Sequence, residues 1–594
     1  MFKKTTYGIA FTAFTIFLLI SGLHGQSPKI HSHNDYEQSV PFWKAYAAGV
    51  QSIEVDVHLE NDELLVGHDR KDLSPDRTLG RLYLKPISEI LSSQADSLKL
   101  QLLIDIKSGA YPTMEALVRV LKQYPNIIQN KDVHIVISGN RPELSRYVDY
   151  PNYIHFDHQS LQTPEDRAVL DKIAMVSLNF GLYTTWNGKG RLVASDKEKI
   201  STIIAEAHKM GKPFRFWAVP DSKTAWKAMH DLGVDFINTD MPFRCVDYVS
   251  SLSQRVYANN EAVAVYTPTY DNDGSTSTPK NVVLYLGDGN GLAQISAATF
   301  ANGGELTLTQ LKHIGLVKTQ SADDFTTDSA AGATAMATGV KVPNRAIGVN
   351  NKGESLPNLV EVLARRGYYT AIITTDAITG ATPASFYAHQ SDRDMEMEIA
   401  EDLNASAIRL FVSAPSRTLS MIGKNFQLLK SFQEINGVGQ GKWAFTFPKG
   451  KGPAPLAMAV EHVLDYLDAS GKPFFLLVEG AKIDSFGHEN QIAPLIKESL
   501  AFDSAVAKGL AYADHSRETL VLVTADHETG GLTLPQGSTA HKRIEADFTT
   551  DDHTGIMVPL FAYGPKAHYF QGVYGNDHIY HKLLSALQIE DSKK

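Results

Sequence analysis

Short apolar runs alternate with amphipathic segments from Lys29 to about Val249, and this alternation limits the possible folds more than any other feature of the chain. Apolar runs of this length predict buried strands, and segments such as Ile200–Met210 have the spacing of surface helices. Eight β/α units in about 220 residues match the size of a closed parallel barrel, so we expect a TIM barrel. An open, doubly wound sheet is the alternative. The runs are Lys29–His33, Ser52–Val57, Leu100–Ile106, Val133–Ser138, Tyr153–Phe156, Met175–Phe180, Phe214–Val219 and Val234–Asn238.

A second α/β pattern follows a polar stretch that is rich in Gly, Ser, Thr and Pro, a composition typical of a linker. We place the barrel at residues 27–257, the linker at 258–279 and a second α/β domain at 280–590. The strands predicted for the second domain are Asn281–Leu286, Tyr369–Thr374, Phe474–Val478, Leu520–Thr524 and Val558–Tyr563.

The first residues have the three-part pattern of an export signal. Lys3 and Lys4 precede an apolar run from about Ile9 to Ile20, and small residues follow it. This run of about 12 residues is shorter than the roughly 20 that a membrane-spanning helix needs. We therefore expect a signal peptide at residues 1–25, a secreted or periplasmic mature protein and no stable membrane span. A short N-terminal anchor is the alternative.

The scarcity of cysteine restricts the metal sites that this chain can build. Cys245 is the only cysteine among 594 residues, which excludes an intrachain disulfide and any thiolate-based zinc, haem or iron–sulfur site. The 21 histidines leave imidazole and carboxylate groups as the metal ligands. A formal charge of −10 provides no global basic field, so we expect no nucleic acid as a specific partner.

Several Asp and His residues of the second domain lie where its predicted strands end. Asp288 follows the first strand in a Gly-rich turn, and Asp526 and His527 follow a later strand. Asp484 and His488 are four residues apart, so a helical turn would bring them to one side. Open α/β sheets place ligands at the carboxyl ends of their strands, and mixed His and carboxylate ligation suits zinc.

A run of small residues at 329–338 predicts a helix, with a Thr/Asp cap before it and Gly339 as its stop. Ser329 would lie in the first turn, where free backbone N–H groups and the helix dipole favour a phosphate. The alternative is a serine that only starts the helix.

These residues resemble the alkaline phosphatase family over about residues 280–590. The resemblance implies phosphomonoester substrates and an α/β sandwich around a central, mainly parallel sheet. A cysteine-type sulfatase is excluded because Cys245 lies outside this domain, and nucleotide pyrophosphatases normally carry Thr where Ser329 stands. The matching motifs, in the order of the family, are Gly287-Asp288-Gly289, Thr327-Asp328-Ser329-Ala330-Ala331, Ala381-Thr382-Pro383-Ala384, His389 with Arg393, Val478-Glu479-Gly480, Asp484 with His488, Asp526-His527-Glu528-Thr529-Gly530-Gly531 and His553-Thr554-Gly555.

The resemblance also implies roles for individual residues. Ser329 would be the nucleophile that forms a phosphoseryl intermediate, and the planar guanidinium of Arg393 would bind two phosphate oxygens. Two zinc ions, one magnesium ion and a homodimer are compatible with the family. Gly380 departs from the Asp or His that the family usually has near the magnesium. The implied ligands are Asp484, His488 and His553 for one zinc, Asp288, Asp526 and His527 for the other, and Asp288, Thr382 and Glu479 for magnesium.

Charged residues also lie at the predicted carboxyl ends of the barrel strands, where TIM barrels carry their active sites. Glu54 and Asp56 share one face of the second strand, and Asp105 ends the third. Three carboxylates could hold one hard divalent cation, and His33 and His68 could be an acid/base pair. Charges that only close the mouth of the barrel are the alternative.

This set resembles the phospholipase-C-like phosphodiesterase superfamily, which includes glycerophosphodiester phosphodiesterases, over roughly residues 29–249. The resemblance implies that Glu54, Asp56 and Asp105 bind Ca²⁺ or Mg²⁺ and that Lys107 contacts the phosphate. It also implies that His68 acts as acid or base together with a histidine of the first strand, which is either His31 or His33. The supporting motifs are Glu54-Val55-Asp56, Gly67-His68-Asp69, Asp105-Ile106-Lys107 and Asn238-Thr239-Asp240-Met241-Pro242.

Together these expectations describe a secreted, metal-dependent phosphohydrolase with phosphomonoester and phosphodiester substrates. The barrel would cut a phosphodiester to a monoester, and the second domain would release phosphate from that monoester. The alternative is an active phosphatase domain beside a barrel that binds a lipid or glycan without catalysis.

Overall fold

The structure is a computed structural model that describes residues 27–93, 98–422, 425–450 and 452–590. The predicted signal peptide, residues 1–25, lies outside the described residues. The chain forms two compact units, which divide between Leu252 and Ser253.

The first unit is a closed barrel of parallel strands, as the alternation in the sequence predicts. Its strands are β1 (Lys29–Ser32), β2 (Ser52–Glu60), β3 (Glu63–Val66), β4 (Leu100–Ile106), β5 (Val133–Gly139), β6 (Ile154–His158), β7 (Ile173–Asn179), β8 (Phe214–Trp217) and β9 (Phe236–Thr239). Strand β1 pairs with both β2 and β9, which closes the barrel and excludes the open sheet. Strand β3 returns antiparallel to β2 in a hairpin outside the barrel order.

Helices connect the barrel strands and bury their apolar faces against them. The helices are α1 (Trp43–Ala48), α2 (Lys85–Ser92), α3 (Ala110–Leu121), α4 (Pro125–Ile128), α5 (Arg167–Asp171), α6 (Ala194–Lys209), α7 (Lys223–Leu232) and α8 (Pro242–Arg255). Helix α7 shows why these segments fold locally: the Ser222 hydroxyl accepts a hydrogen bond from the Ala225 N–H, 3.3 Å away, and Gly233 ends the helix at φ 79°. Trp226 and Met229 of this helix are buried in the core of the first unit.

The register of the barrel strands brings charged residues to one rim. Asp56 of β2 pairs directly with Asp105 of β4, and His31 of β1 pairs with Ser52 of β2. Because all barrel strands are parallel, their carboxyl ends meet at the same rim. Most residues of the barrel strands are buried, as expected when helices cover the outside of a parallel sheet.

The second unit is built on a mainly parallel sheet. Its strands are β10 (Val256–Ala258), β11 (Asn281–Gly287), β12 (His313–Lys318), β13 (Tyr369–Thr374), β14 (Ile408–Ser413), β15 (Gln427–Leu428), β16 (Trp443–Thr446), β17 (Phe474–Gly480), β18 (Thr519–Thr524), β19 (Glu528–Thr529), β20 (Thr533–Ser538), β21 (Arg543–Asp547), β22 (His553–Thr554), β23 (Val558–Tyr563) and β24 (Gly572–Gly575). The main sheet runs in the order β15-β16-β14-β13-β17-β11-β18-β23-β12-β24. Only β23 runs against its neighbours among the described strands of this sheet.

Helices pack on both faces of this sheet and make the sandwich that the sequence predicts. They are α9 (Leu292–Ala301), α10 (Ser329–Thr338), α11 (Leu359–Ala364), α12 (Ala381–Ala384), α13 (Glu396–Ala405), α14 (Leu419–Ile422), α15 (Phe432–Ile435), α16 (Leu456–Ala469), α17 (Lys482–His488), α18 (Ile492–Ser516) and α19 (His578–Ala586). Successive residues of a strand face opposite sides of a sheet. Val283 and Tyr285 of β11 therefore join one core with α16 and α18, whereas Val282 and Leu284 join another with α10 and α19.

The segment predicted as a linker, residues 258–279, runs along the second unit. The Asn259 amide donates to the backbone carbonyl of Ala301 at 3.0 Å, and the Tyr266 hydroxyl donates to Asp514 at 2.6 Å. The preceding strand β10 pairs with β21. No helix in the described ranges is long and apolar enough to cross a membrane.

Candidate active sites

Carboxylate and imidazole groups converge where β11 and β18 of the second unit end. The Nε2 atom of His527 lies 3.3 Å from Oδ2 of Asp526 and 3.5 Å from Oδ1 of Asp288. All three residues are buried, and both carboxylate atoms lack a hydrogen-bond partner among the described residues. A buried carboxylate oxygen without a partner is costly unless a cation binds it, so this set fits a metal.

A second group of ligands adjoins the first. The Nε2 atom of His488 lies 3.1 Å from Nε2 of His553 and 3.3 Å from Oδ2 of Asp484. The ligand atoms of Asp484, His527 and His553 also lie within 4.8 Å of one another, which makes the two groups neighbours. The structure thus brings together all six residues predicted as zinc ligands.

Backbone partners fix the orientation of the histidines in this group. Nδ1 of His488 lies 2.6 Å from the carbonyl oxygen of Asp551, and Nδ1 of His553 lies 2.9 Å from that of Thr327. A ring nitrogen beside a carbonyl carries the proton, which leaves each Nε2 with a lone pair. Two lone pairs at 3.1 Å repel unless a positive charge lies between them, and this geometry also fits a cation.

The residues predicted for magnesium lie beside the first group. Glu479 is the next-to-last residue of β17, in register with Leu286 of β11 and Thr374 of β13, and Asp288 follows β11. The Thr374 hydroxyl donates a hydrogen bond to Glu479, and the buried Thr382 hydroxyl has no partner within the described chain. A hydroxyl and two carboxylates are oxygen ligands of the kind that Mg²⁺ prefers.

The electrostatics of this region also call for positive charge. Burial and the carboxylates of Asp526 and Asp484 raise the pKa of Asp288 well above its usual range. Burial and the nearby Asp376 carboxylate raise the pKa of Glu479 to about 8, despite the hydrogen bond from Thr374. Bound divalent cations would allow these groups to ionise together.

Ser329 is the first residue of α10, as the sequence predicts. Asp328 caps the helix by accepting a hydrogen bond from the Ala331 N–H at 2.9 Å, and Gly339 ends it at φ 72°. The Ser329 hydroxyl lies 3.3 Å from Nε2 of His527 and is nearly buried. The hydroxyl therefore faces the ligand groups from a helix N-terminus that favours phosphate.

Asp328 also holds the arginine that the sequence predicts as a phosphate ligand. Nη1 of Arg393 donates to Oδ2 of Asp328 at 3.1 Å, and the guanidinium stays partly exposed. The flanking residues Asp392 and Asp394 both accept hydrogen bonds from Arg345, whose backbone N–H donates to Asp328 at 3.1 Å. The helix cap Asp328, Arg393 and Arg345 therefore belong to one connected network at the start of the helix that begins with Ser329.

Two residues of this site have no role predicted from the sequence. Asp552 forms a potential ligand group with His488 and His553, and Thr529 donates a 2.5 Å hydrogen bond to Asp484. Asp552 directly precedes His553, and that adjacency is a signal that the sequence contains. The contact of Thr529 with Asp484 depends on the packing of α17 against β19, which no local pattern shows.

The barrel rim brings together Glu54, Asp56 and Asp105, whose ligand atoms lie within 4.8 Å of one another. One oxygen of Asp56, Oδ1, is buried without a hydrogen-bond partner in the described ranges, which fits a cation ligand. Lys107 lies among these carboxylates, with Nζ 3.0 Å from Asp56 and 3.3 Å from Asp105. Its ammonium group balances part of their charge.

The structure separates the two histidines of β1 that the sequence leaves open. His31 is fully buried, with Nδ1 2.7 Å from the Ser52 hydroxyl and Nε2 2.9 Å from Glu54. Burial and the Arg215 charge lower the pKa of His31 to about 3. His33 is partly exposed, with Nδ1 2.8 Å from Asp240. Burial opposes its protonation, but Asp240 and Glu54 outweigh burial and raise the pKa of His33.

His68, the other predicted acid/base residue, lies beside Asp56 on the exposed side of the rim. Its Nδ1 is 2.9 Å from Oδ2 of Asp56, and the Tyr36 hydroxyl donates to the same oxygen at 2.8 Å. Arg215, which is buried and donates to Glu54 at 2.9 Å, was not predicted from the sequence. An arginine inside the apolar run Phe214–Val219 was the available signal.

Comparisons with known proteins find family models that match parts of both units. A family model described as alkaline phosphatase matches residues 279–419, 442–543 and 534–589. In the first unit, a model of the AIM6-like phosphodiesterase domain matches residues 24–124, and one of the glycerophosphoryl diester phosphodiesterase family matches residues 213–242.

Individual relatives agree with the first of these assignments. The chain is 29% identical to the streptomycin-6-phosphate phosphatase of Streptomyces griseus over 406 residues, which cover 52% of this chain and 90% of that protein. It is 26% identical to the alkaline phosphatase of Escherichia coli (strain K12) over 412 residues, 53% of this chain and 88% of that protein.

Solved structures extend the comparison. The alkaline phosphatase from the Antarctic bacterium TAB5 is 36% identical, with a TM-score of 0.50, and the match covers 53% of this chain and 100% of that chain. A variant of that enzyme was solved with Mg bound in its M3 site. The chain belongs to the alkaline phosphatase family of phosphomonoester hydrolases.

Proposed function

We propose that the second unit hydrolyses phosphomonoesters through a phosphoseryl intermediate on Ser329. The observation that carries this proposal is the position of the Ser329 hydroxyl, 3.3 Å from His527 at the N-terminus of α10 and facing two groups of metal ligands. In the first step, Oγ of Ser329 attacks phosphorus and the bond to the alcohol oxygen breaks. In the second step, water cleaves the phosphoserine and releases inorganic phosphate.

Divalent cations complete this site, and we propose two zinc ions and one magnesium ion. When bound, they would supply Lewis-acid stabilisation of the negative charge on the attacking and leaving oxygens. The protein holds the ligands in place through Thr374, Thr529 and the backbone carbonyls beside the histidines. The proposed ligands are Asp484, His488 and His553, then Asp288, Asp526 and His527, and for magnesium Asp288, Thr382 and Glu479.

Arg393 orients the phosphate, and its replacement should weaken phosphate binding. Arg393→Ala removes a guanidinium that Asp328 holds at the helix N-terminus. We expect the inhibition constant of inorganic phosphate and the KM for p-nitrophenyl phosphate to rise about 10- to 100-fold, the usual size of charge-assisted hydrogen bonding. Arg393→Lys should recover only part, because an ammonium group cannot bind two oxygens in the same plane. Arg366→Ala is the control, since Arg366 is exposed; phosphate affinity unchanged in Arg393→Ala would exclude the proposed role.

We further propose that the barrel hydrolyses phosphodiesters, and that the second unit consumes the monoester produced. The supporting observation is the rim group of Glu54, Asp56 and Asp105 beside His33 and His68. One histidine would take a proton from the attacking oxygen and the other would give a proton to the departing alcohol. His33 suits this role better than His31, whose ring nitrogens are both bound and buried. Lys107 would contact the phosphate, and the carboxylates would hold Ca²⁺ or Mg²⁺.

Variants of each unit should separate the two reactions. With glycerophosphoglycerol as substrate, Ser329→Ala should accumulate glycerol phosphate and release no inorganic phosphate. Glu54→Ala/Asp56→Ala should leave the diester uncleaved while p-nitrophenyl phosphate is still hydrolysed at the rate of the unchanged protein. Glu63→Ala, an exposed acidic residue of β3, is the control. Mass spectrometry identifies the products, and monoester formation by the double variant would show that these carboxylates do not catalyse diester cleavage.

The position of Lys107 among the carboxylates favours one alternative, a barrel that binds a lipid or glycan without a metal. Calorimetry with Ca²⁺ and Mg²⁺ distinguishes the two functions. A binding event that Glu54→Ala/Asp56→Ala abolishes supports catalysis, and identical binding of both cations by the two proteins supports the module. We also propose export before activity, since the pattern at residues 1–25 is that of a signal peptide, and a homodimer as the working form.

A further inference from the structure

A pocket opens on the carboxyl-terminal rim of the barrel, beside the group of Glu54, Asp56 and Asp105. It has a volume of about 390 Å³ and lies between the segments that follow β5 and β6. Its lining includes Gly139, Arg141, Tyr147 and His158. None of the nine residues lining this pocket, all within the described chain, belongs to the predicted diester site.

The pocket nevertheless touches that site through Gly139. This residue has φ 70°, and a side chain there would place its Cβ 2.1 Å from Oδ1 of Asp105. The following residue, Asn140, ties the loop to the strand before Lys107: its N–H donates to the carbonyl of Ile106 at 2.8 Å. The loop that carries Arg141 is therefore fixed directly against the carboxylate group.

Arg141 brings a positive charge to the pocket, and one of its hydrogen-bond donors is unsatisfied. Its side chain is 16% exposed, and Nη1 is buried with no hydrogen-bond partner among the described residues. The closest carboxylate oxygen, Oδ2 of Asp157, is 3.9 Å from Nη1 and already accepts hydrogen bonds from Ser138 and Ser177. A buried donor without an acceptor is unfavourable and is expected to bind one when a ligand supplies it.

We propose that this pocket is an anion subsite, in which Arg141 binds a phosphate or carboxylate on the alcohol portion of the diester. The reacting phosphate must lie near His33, His68 and Lys107, which are absent from the pocket lining, so Arg141 is left for a second charged group. A guanidinium fits the oxygens of a carboxylate or phosphate better than any other side chain. The inference rests on the proposed diesterase function and names its substrate class: diesters whose alcohol carries a further negative charge.

The competing explanation is that Arg141 only neutralises the buried Asp157. Under that explanation, Arg141→Gln weakens the fold and affects every substrate equally. Under our proposal, the same change acts selectively on substrates with the second charge. The ratio of activities on two matched diesters therefore distinguishes the two roles.

The test compares glycerophosphoinositol with glycerophosphoinositol 4-phosphate, which differ by one phosphate group. Ser329→Ala is the background, so that the second unit does not remove this phosphate. We expect kcat/KM to be about 10-fold or more higher for the phosphorylated diester than for the other. Arg141→Gln should lower kcat/KM for the phosphorylated diester about 10- to 100-fold and change kcat/KM for the other diester little. Arg146→Gln is the control, because Arg146 is exposed and pairs with Asp149 in the same loop.

Calorimetry with glycerophosphoinositol 4-phosphate keeps the test independent of turnover. In a Ser329→Ala/His68→Ala background, in which neither unit turns over this diester, we expect two binding events, of which Arg141→Gln removes one and Arg393→Ala removes the other. An equal loss on both diesters, or two events retained in Arg141→Gln, would overturn the subsite. If neither diester is cleaved but Arg141→Gln still removes one event, the subsite stands and the diesterase proposal fails.

Discussion

Replacing Ser329 by alanine should abolish the release of phosphate from p-nitrophenyl phosphate, with kcat reduced on the order of 10⁴-fold. The change removes only one oxygen atom, and α10 keeps its Asp328 cap and its buried packing. His527 keeps a second contact in the variant, because its Nδ1 lies 3.2 Å from the Thr529 hydroxyl. The loss would therefore report the nucleophile and not the fold.

A trapping experiment makes the prediction specific for the phosphoseryl intermediate. Denaturing the unchanged enzyme with phosphate present should leave a peptide that contains Ser329 heavier by one phosphoryl group, and the variant should lack it. Ser296→Ala is the control, since its hydroxyl only bonds to the carbonyl of Leu292 within helix α9 at 2.7 Å. If Ser329→Ala keeps most of its activity, a water molecule and not this serine attacks the phosphorus.

Removal of divalent cations should have the second largest effect. Dialysis against a chelator should lower phosphate release by more than about 10³-fold, because cations at such sites contribute several kcal/mol of stabilisation to the transition state. Zinc together with magnesium should restore activity. The melting temperature should fall as well, on the order of 10 °C, since a ligand at about 1,000 times its Kd stabilises by about 4 kcal/mol.

The second part of this prediction follows from the carboxylates themselves. Asp288, Glu479 and Asp526 are buried close together, and their mutual repulsion opposes folding when no cation compensates it. A matched test is Asp288→Asn, which should reduce the dependence of the melting temperature on zinc while activity is lost. Full activity in chelator, with metal content below one equivalent by mass spectrometry, would contradict a metal-dependent site.

Periodicity predicted the barrel and five strands of the second unit, because buried strands carry the apolar runs on which such a prediction rests. All eight barrel runs are strands, and α10 begins at Ser329 and ends before Gly339, where its cap and its stop lie in the sequence. The β3 hairpin was not predicted, since Glu63–Val66 is short and follows β2 after only two residues. Length and composition do not distinguish such a strand from a loop.

The residues of the candidate sites also differ in whether the sequence could predict them. The positions of Asp526 and His527 in the candidate site could be predicted because both residues directly follow a strand and belong to a recognisable motif. Arg215 and Arg141 could not be predicted, because the role of each depends on a carboxylate that the fold brings near it. That carboxylate belongs to Glu54 for Arg215 and to Asp157 for Arg141. A sequence pattern reports which face a residue occupies, but not the charge that it meets there.

Helix α10 has one more consequence, and it concerns how this enzyme can change. All ten of its residues are buried, and a side chain in place of Gly332 would press on Asp526 at 3.2 Å. Substitutions in this helix therefore disturb the chemistry itself, so descendants of this chain have little freedom there. New substrate preferences are expected to arise in the loops around the site, where exposed residues such as Phe325 can vary without moving Ser329. Helix α10 therefore tolerates few substitutions, whereas the loops around the site can change.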